Sequence, residues 1–249
     1  MLHDLPASRT EPDGSAVVRV LSYNVRSMRD DVPALGRVIA ACAPDVVCVQ
    51  EAPRFFRWRK AAARLARESG LVYVTGGATA SGPMILTSLR PHVERVHDVL
   101  LPRTPGLHQR GFATAVLRFG RARLGVLSCH LSMRDGERYE QGKLLLQELD
   151  SLGVPHAVAA GDLNDRPDGR TFGLLAGALQ DGWATRPWGR EHTTRLGDPL
   201  QRIDAVFATG GVEVLGCGVP MGLAGVVEAD LRAATDHLPV LAALRVPAS

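Results

Sequence analysis

The spacing of apolar and polar residues changes several times along the chain, and each change predicts an element. The nearly unbroken apolar run of residues 16–24 predicts a buried strand. Beyond Asp31 and Pro33, which are typical of a helix start, the apolar side chains recur with helical spacing at Leu35, Val38, Ile39 and Cys42. Pro44 ends this helix, and the apolar run of residues 45–51 predicts a second strand, which completes a β-α-β unit.

The rest of the chain continues this mixture of short apolar runs and helical periods. Strands are predicted near residues 71–75, 84–88, 93–100, 112–119, 123–130, 154–161, 202–208, 212–219 and 238–246. Helices are predicted at about 54–69, 137–152 and 170–178. Residues 1–15 are polar and rich in Pro, Ser and acidic residues, which predicts a loose leader. No repeat or long linker divides the remainder, so residues 16–249 are expected to form a single domain of mixed α/β type.

Composition excludes several classes of protein. The 249 residues are 45% apolar and 22% charged, as in ordinary globular proteins. No apolar run approaches the ~20 residues that span a bilayer, and the N-terminus lacks the pattern of a secretory signal. Four cysteines lie far apart without a C-x-x-C pair, so neither a disulfide framework nor a zinc site is expected. A reducing cytoplasm is the expected location.

The formal net charge of +3 is mild for a chain of this size. It is compatible with an anionic substrate, and no run of Lys and Arg forms a stripe that could follow a phosphate backbone. Residues 54–67 are basic and invite interpretation as a nucleic-acid or membrane patch. Helical spacing instead favours an ordinary amphipathic helix, with solvated arginines and a core-facing stripe of Phe55, Trp58, Ala62 and Leu65.

The most informative feature is the kind of residue found where the apolar runs end. Eight polar or charged side chains lie at or just beyond such ends: Asn24, Glu51, His130, Asp162, Asn164, Asp204, Asp236 and His237. A single residue of this kind commonly bonds a turn. So many together indicate a site, because ligand-binding residues gather at strand ends in α/β sheets.

These residue types suit a metal-assisted reaction. Hard oxygen ligands of the kind that Mg²⁺ or Mn²⁺ accepts are available on Glu51, Asp162, Asp236, Asn24 and Asn164. Histidines among carboxylates can stabilise a phosphate or exchange a proton. The sequence has no G-x-S-x-G elbow, no Walker A loop and no dinucleotide fingerprint. Water activated by a carboxylate, with a metal screening the charge on phosphorus, is the chemistry that remains.

Six motifs occur in an order that resembles the endonuclease/exonuclease/phosphatase superfamily. They are Leu21-Ser-Tyr-Asn24, Val49-Gln-Glu51, Ser128-Cys-His-Leu-Ser132, Gly161-Asp-Leu-Asn-Asp165, Arg202-Ile-Asp-Ala-Val-Phe207 and Thr235-Asp-His-Leu-Pro239. The resemblance extends from about residue 17 to 246. It implies an α/β fold, specifically a four-layer sandwich of two mixed β-sheets packed face to face and flanked by helices, with the active site at one edge.

The resemblance also implies a role for each strand-end residue. Glu51 resembles the principal metal ligand, and Asn24 and Asp236 would complete the Mg²⁺ or Mn²⁺ site directly or through water. Asp162 would orient or deprotonate the attacking water, and Asn164 would hold a phosphate oxygen.

Two histidines are implicated in the same way. His237 would bind and neutralise the phosphoryl group, while Asp204 accepts a hydrogen bond from it. His130 resembles a second histidine close to the phosphate or the leaving group. Relatives often carry an arginine at the place of Arg110, for which substrate contact and structural pairing both stay open.

The expected function is hydrolysis of a phosphodiester, either nucleic acid or a smaller or lipid diester. The partner would be an anionic phosphate ester, and no protein partner is implied. The absence of a tyrosine between Tyr73 and Tyr139 counts against cleavage at abasic sites, where relatives use one. Two alternatives stay open: a phosphomonoesterase acting on a sugar, inositol or nucleotide phosphate, and a non-catalytic binding module on the same scaffold.

Overall fold

The computed structural model describes residues 5–195 and 200–249. Its strands are β1 (Arg9–Thr10), β2 (Ala16–Asn24), β3 (Val46–Gln50), β4 (Val72–Gly76), β5 (Met84–Thr87), β6 (His92–Leu100), β7 (Gly111–Phe119), β8 (Ala122–His130), β9 (Ala157–Asp162), β10 (Gln180–Asp181), β11 (Asp204–Ala208), β12 (Glu213–Gly218) and β13 (Val240–Val246). Its helices are α1 (Val32–Cys42), α2 (Trp58–Ser69), α3 (Asp135–Ser151), α4 (Arg170–Ala178), α5 (Gly182–Thr185) and α6 (Glu228–Ala234), with a short 3₁₀ turn at Arg26–Met28.

The strands form two mixed sheets. Sheet 1 has the order β12-β13-β2-β3-β5-β4, with β1 also paired to β2, and sheet 2 has the order β10-β11-β9-β8-β7-β6. Each sheet contains one parallel pair at its centre, β2 with β3 and β8 with β9, and the other pairs are antiparallel. The two parallel pairs are the products of β-α-β units, as the alternation of apolar periods predicts.

The two sheets pack face to face and helices cover their outer faces. Val20 and Val46 of sheet 1 share one buried cluster with Leu124 and Val126 of sheet 2. Separate apolar clusters join sheet 1 to α1, α2 and α6, and sheet 2 to α3 and α4. Strands covered on both faces read as continuous apolar runs, which is why their positions were predictable. The predicted four-layer α/β sandwich is confirmed.

Residues 5–15, the described part of the loose leader expected over 1–15, are attached to sheet 1, and residues 1–4 lie outside the described residues. Leu5 is buried in the core beneath sheet 1. The Arg19 guanidinium, on β2, donates hydrogen bonds to the backbone carbonyls of Leu5 and Pro6, at 2.6 and 3.0 Å. The β1 strand pairs with β2 beyond them. This segment is held to β2 mainly by hydrogen bonds to its backbone carbonyls. Such contacts require no regular spacing of apolar residues, so the sequence gives no sign of them.

The predicted helix over 54–69 begins later, at Trp58. Ala62 and Leu65 are buried as expected, but Phe55 precedes the helix and is 77% exposed. The reason is that Arg57 has a positive φ of 60° and starts the helix after a tight turn, so helical spacing does not extend back to Phe55. The other predicted elements agree with the structure to within three residues at each end.

Four cysteines are free and buried: Cys42, Cys48, Cys129 and Cys217. Among the described residues no helix is both long and apolar enough to cross a bilayer.

Candidate active site

The topology brings the predicted strand ends to one edge of the sandwich. Asn24 ends β2 and Glu51 follows β3, and these strands are parallel. His130 ends β8 opposite Asp162, which ends the parallel strand β9. Because β11 runs antiparallel to β9, its first residue, Asp204, lies opposite Asp162 at the same edge.

The Asn24 side chain links the two sheets at this edge. Its Nδ2 donates to Oε1 of Glu51 at 3.1 Å and to Oδ2 of Asp162 at 3.0 Å. Its Oδ1 accepts the backbone N–H of Arg26 at 3.0 Å. The opposite amide orientation would place an oxygen against two carboxylates, so the hydrogen bonds fix this one. Asn24 thus holds the two carboxylates together, and its oxygen is already engaged.

Asp162 lies at the centre of the cluster and is almost fully buried. Its Oδ1 accepts the backbone N–H of Asn164 at 2.9 Å. Its Oδ2 lies 3.5 Å from Nε2 of His130 and 3.7 Å from Nε2 of His237. Burial raises the pKa of Asp162 and the nearby Asp204 adds to this rise, while the two histidines oppose it.

His237 is held by Asp204 on its far side, with 2.9 Å between Nδ1 and Oδ2 of the carboxylate. Burial, the largest single effect, disfavours the charged ring. The attraction and hydrogen bond of Asp204, together with the charges of Asp162 and Asp236, outweigh burial and raise the pKa of His237 to about 10. Near neutral pH the ring is therefore a cation.

His130 has the opposite character. Burial lowers its pKa to about 4 because the attraction of Asp162 is too small to compensate, and the positive charges of Arg110, His237 and Arg54 lower it further. The cluster thus places one neutral and one cationic imidazole against the same carboxylate oxygen.

Two of the predicted residues have an unusual backbone. Glu51 and Asn164 have positive φ angles of 53° and 50°, in the left-handed region that non-glycine residues seldom adopt. The Asn164 side chain donates to the carbonyl of Leu131 at 2.9 Å, which joins the loop after β9 to the end of β8. Such strain costs on the order of 1–3 kcal/mol per residue and concentrates at functional sites.

Asp236 is at the same edge but has a partner that sequence reasoning missed. Its Oδ2 lies 3.1 Å from Nε of Arg26. Arg26 belongs to the 3₁₀ turn directly after β2, in which Ser27 donates its backbone N–H to the carbonyl of Glu51 at 2.9 Å. Its position two residues after Asn24 was the available signal, but nothing in the sequence pairs it with Asp236.

For Arg110 the sequence left two roles open, contact with substrate and structural pairing, and the structure places this residue near Asp162 and Glu51. Its guanidinium makes no hydrogen bond or ion pair with the described part of the chain. Burial lowers its pKa, and Asp162 and Glu51 are the carboxylates whose charges oppose this shift. Arg54 lies nearby and is tied to the carbonyl of Gln109 and the hydroxyl of Ser81.

The donor set fits a divalent cation. Asp162, Asp204 and His237 each offer a ligand atom within 4.8 Å of the others, although His237 could bind a metal only after losing its proton. Oδ1 of Asp204 is buried and has no hydrogen-bond partner among the described residues. Of the two carboxylate oxygens of Glu51, only Oε1 takes part in a described hydrogen bond. Carboxylate oxygens left unpaired in this way suit a hard cation.

Comparison with known proteins agrees with this geometry. The model of the Endonuclease/Exonuclease/phosphatase family matches residues 21–237. Comparison with the curated proteins gives no match.

Solved structures share the fold over most of the chain. An endonuclease/exonuclease/phosphatase from Bacteroides vulgatus is 19% identical with a TM-score of 0.76, covering 92% of this chain and 99% of that one. A mannosyl-6-phosphatase from Bacteroides thetaiotaomicron is 19% identical with a TM-score of 0.73, covering 91% and 99%. Truncated TDP2 from Caenorhabditis elegans is 16% identical with a TM-score of 0.68, covering 92% and 97%.

Proposed function

Because the chain belongs to the endonuclease/exonuclease/phosphatase family, whose members are phosphoesterase hydrolases, we propose that it hydrolyses a phosphodiester bond with the help of a divalent metal. The observation that carries this proposal is the position of Asp162. One carboxylate oxygen lies within 4 Å of both a neutral and a cationic imidazole, while the Asn24 amide fixes it beside Glu51. This arrangement can activate water and neutralise a phosphoryl group together.

Asp162 is the proposed base. Its raised pKa makes it a better proton acceptor than an exposed aspartate, and the Asn164 N–H and Asn24 amide hold its orientation. A water held by Asp162 would attack phosphorus in line with the leaving oxygen. Asn164, on the strained turn that follows Asp162, is the proposed contact to a phosphate oxygen.

The two histidines are the proposed contacts to the phosphate and the leaving group. His237, kept cationic by Asp204, donates from Nε2 to an equatorial phosphate oxygen, where charge accumulates. His130 is neutral and contacts the phosphate or the leaving group by hydrogen bonding. Arg110, whose guanidinium has no described partner, is the proposed second cationic contact to substrate.

Glu51 is the proposed principal ligand of Mg²⁺ or Mn²⁺, assisted by Asp236. When bound, the ion supplies charge neutralisation at the phosphate and lowers the pKa of coordinated water. The Asn24 amide nitrogen positions Glu51, and the Asn24 oxygen, which accepts the Arg26 N–H and keeps a second lone pair, would complete the metal site directly or through water. Ligation through Oδ2 of Asp236 would require its ion pair with Arg26 to open, whereas Oδ1, which accepts the Thr235 hydroxyl, could bind the ion with the pair in place.

A phosphomonoesterase is the second candidate. The mannosyl-6-phosphatase among the structures with the same fold supports it. The Arg110 guanidinium, which has no hydrogen bond or ion pair among the described residues, also supports it, because it can meet the extra charge of a monoester. A non-catalytic binding module is less well supported, because Glu51, Asp162 and the Asp204–His237 pair are all in place. Four buried free thiols support a cytoplasmic location.

The test is hydrolysis of bis-p-nitrophenyl phosphate and p-nitrophenyl phosphate with Mg²⁺, Mn²⁺ or EDTA. Diester turnover that EDTA abolishes is expected, with a loss of about 10³-fold or more in Asp162→Asn. Asp168→Asn is the control, because its carboxylate is exposed and Arg166 is its only ion-pair partner in the described part of the chain. Monoester turnover alone would favour the second candidate, and equal activity of the two variants would exclude Asp162 as the base.

A further inference from the structure

A basic groove runs from the active-site edge along α2. It has a volume of about 530 Å³, and at one end it is lined by Ser27 and Pro53, which flank Glu51. Ser27 is bonded through its backbone to the Glu51 carbonyl. The groove is therefore lined by residues next to Glu51, although Glu51 itself does not line it.

The walls of the groove are cationic. Arg57, Lys60 and Arg64 line it and are exposed, and none of the three has an ion pair with a described residue. Arg67 lies further along and is paired with Glu68 at 3.0 Å. Among the described residues that line the groove none is acidic. At ~1.5 Å per residue the four cations extend over about 15 Å of helix, which matches a polyanion rather than a single phosphate.

Aromatic rings stand beside these charges. Phe55 and Phe56 are 77% and 90% exposed, and Phe56 lines the groove. The Arg57 guanidinium lies 5.3 Å from the centre of the Phe56 ring, and Arg54 lies at the same distance from Phe55. Exposed rings next to guanidinium groups are the means by which proteins stack unpaired bases.

An anionic membrane is the competing partner for a basic surface with exposed phenylalanines. A helix that lies in a bilayer interface must offer its apolar face to the lipid. The apolar face of α2, formed by Ala62, Leu65 and Ala66, is buried in the protein. The exposed face of α2 is charged and forms one wall of the groove, into which a flexible single strand of nucleic acid can fit.

We propose that the groove along α2, which we call the α2 groove, binds a single-stranded segment of nucleic acid, with bases on Phe55 and Phe56 and phosphates at Arg57, Lys60 and Arg64. This rests on the proposed function only in that the strand would also be the substrate. Sequence reasoning assigned these arginines to solvent, and the exposure of Phe55 is the observation that changes the interpretation.

Binding of a fluorescent single-stranded oligothymidylate to the full chain in EDTA separates binding from cleavage. Lys60→Gln/Arg64→Gln should weaken binding about tenfold or more and lower the slope of log K against log salt by about 1.4, or ~0.7 for each lost contact. Arg118→Gln/Arg123→Gln is the matched control. These two half-buried arginines, both paired with Glu94, flank the turn between β7 and β8, at the far end of β8 from His130, and their replacement removes the same amount of positive charge.

A second pair of variants tests the aromatic contact. Phe56→Ala should weaken oligothymidylate binding about tenfold, and Leu89→Ala is its control. Leu89 is equally exposed, at 88%, and follows β5 at the edge away from the site. Equal affinities of the groove variants and their controls would overturn the proposal. Loss of binding to phosphatidylserine vesicles without loss of oligonucleotide binding would overturn it in favour of a membrane. Groove-dependent binding by a chain that hydrolyses no ester would support the groove while refuting the proposed function.

Discussion

Nδ1 of His237 lies 2.9 Å from Oδ2 of Asp204, although Asp204 begins β11 of sheet 2 and His237 lies ahead of β13 of sheet 1. Thr193 fixes this relationship from a loop that belongs to neither strand. Its hydroxyl oxygen accepts the backbone N–H of Asp204 at 3.2 Å, and its carbonyl accepts the N–H of Leu238 at 2.7 Å. The pair is therefore positioned by the backbone and not only by its own hydrogen bond.

Replacement of Asp204 by Asn should lower the pKa of His237. The amide keeps the shape of the carboxylate but removes its charge, so the pKa of His237 should fall from about 10 by roughly 1–3 units. The measurement is an NMR titration of the imidazole protons in EDTA, with the exposed-carboxylate variant Asp168→Asn as the control. An unchanged titration in Asp204→Asn would mean that Asp204 does not sustain the charge.

The raised pKa of His237 also predicts how stability depends on pH. An imidazole with an unfolded pKa of ~6.5 and a folded pKa of about 10 stabilises the fold fully below pH ~6.5, and this contribution is lost as pH rises toward 10. Between about pH 7 and 8.5, the free energy of unfolding of the metal-free wild type should therefore fall more steeply than that of His237→Gln. The difference should be at most about 1.4 kcal/mol per pH unit.

Urea unfolding at several pH values in EDTA measures this difference. Other groups that titrate in the same interval, including the buried thiols, are common to both proteins and cancel in the comparison. His92→Gln removes an exposed histidine and should retain the wild-type slope. Parallel curves for the wild type and His237→Gln would show that His237 is not a cation in the folded protein.

The strand ends were predictable because strands covered on both faces exclude polar side chains, so a terminal Asn24 or Asp162 stands out in the sequence. That these residues meet depends on the parallel and antiparallel pairing of six strands, which the apolar periods alone do not specify. The resemblance to a known family supplied this arrangement, and the sandwich confirms it.

The residues that sequence reasoning missed act through a few polar contacts made outside the regular helices and strands. Thr193 works through one hydroxyl and one carbonyl, and Arg26 through one ion pair to Asp236. Neither leaves a periodic signal. Phe55 was misassigned to the core because helical spacing was extended through the left-handed residue Arg57, whose φ the sequence does not reveal. This turn leaves Phe55 and Phe56 exposed ahead of α2, and Phe56 lines the α2 groove.

Asn24→Asp should make the site more dependent on metal. The Asn24 amide donates to Glu51 and Asp162, and an isosteric carboxylate would put three negative charges in contact. We expect the metal-free variant to lose about 1–3 kcal/mol of stability at neutral pH and to gain more than the wild type from Mg²⁺ or Mn²⁺. Thermal unfolding in EDTA and in each metal measures both effects.

The double variant Asn24→Asp/Glu51→Gln serves as the comparison. It restores one neutral group to the cluster and removes the proposed principal ligand, so its gain from metal should be smaller than that of Asn24→Asp alone. A metal-dependent gain that Glu51→Gln leaves unchanged would move the cation away from Glu51, toward the group formed by Asp162, Asp204 and His237.

Asp165 belongs to the same motif as Asp162 but has a structural role. Its Oδ2 accepts the backbone N–H groups of Thr171 and Phe172 in the first turn of α4, at 2.9 and 3.0 Å. Its Oδ1 lies 3.3 Å from the buried guanidinium of Arg138. Asp165→Ala would leave two helix N–H groups and a buried cation without this partner, so the free energy of unfolding should fall by about 3 kcal/mol.

Asp135→Ala is the control for this prediction, since Asp135 binds the same guanidinium at 3.0 Å from an exposed position. Exposed ion pairs contribute at most ~1 kcal/mol, so this variant should remain close to the wild type in urea unfolding. Turnover per folded molecule should persist in Asp165→Ala, because Asp162 is held by Asn24 and Asn164 independently of α4. Equal stability of the two variants would contradict the structural role of Asp165 at the start of α4. Loss of turnover in folded Asp165→Ala would indicate that Asp165 takes part in catalysis.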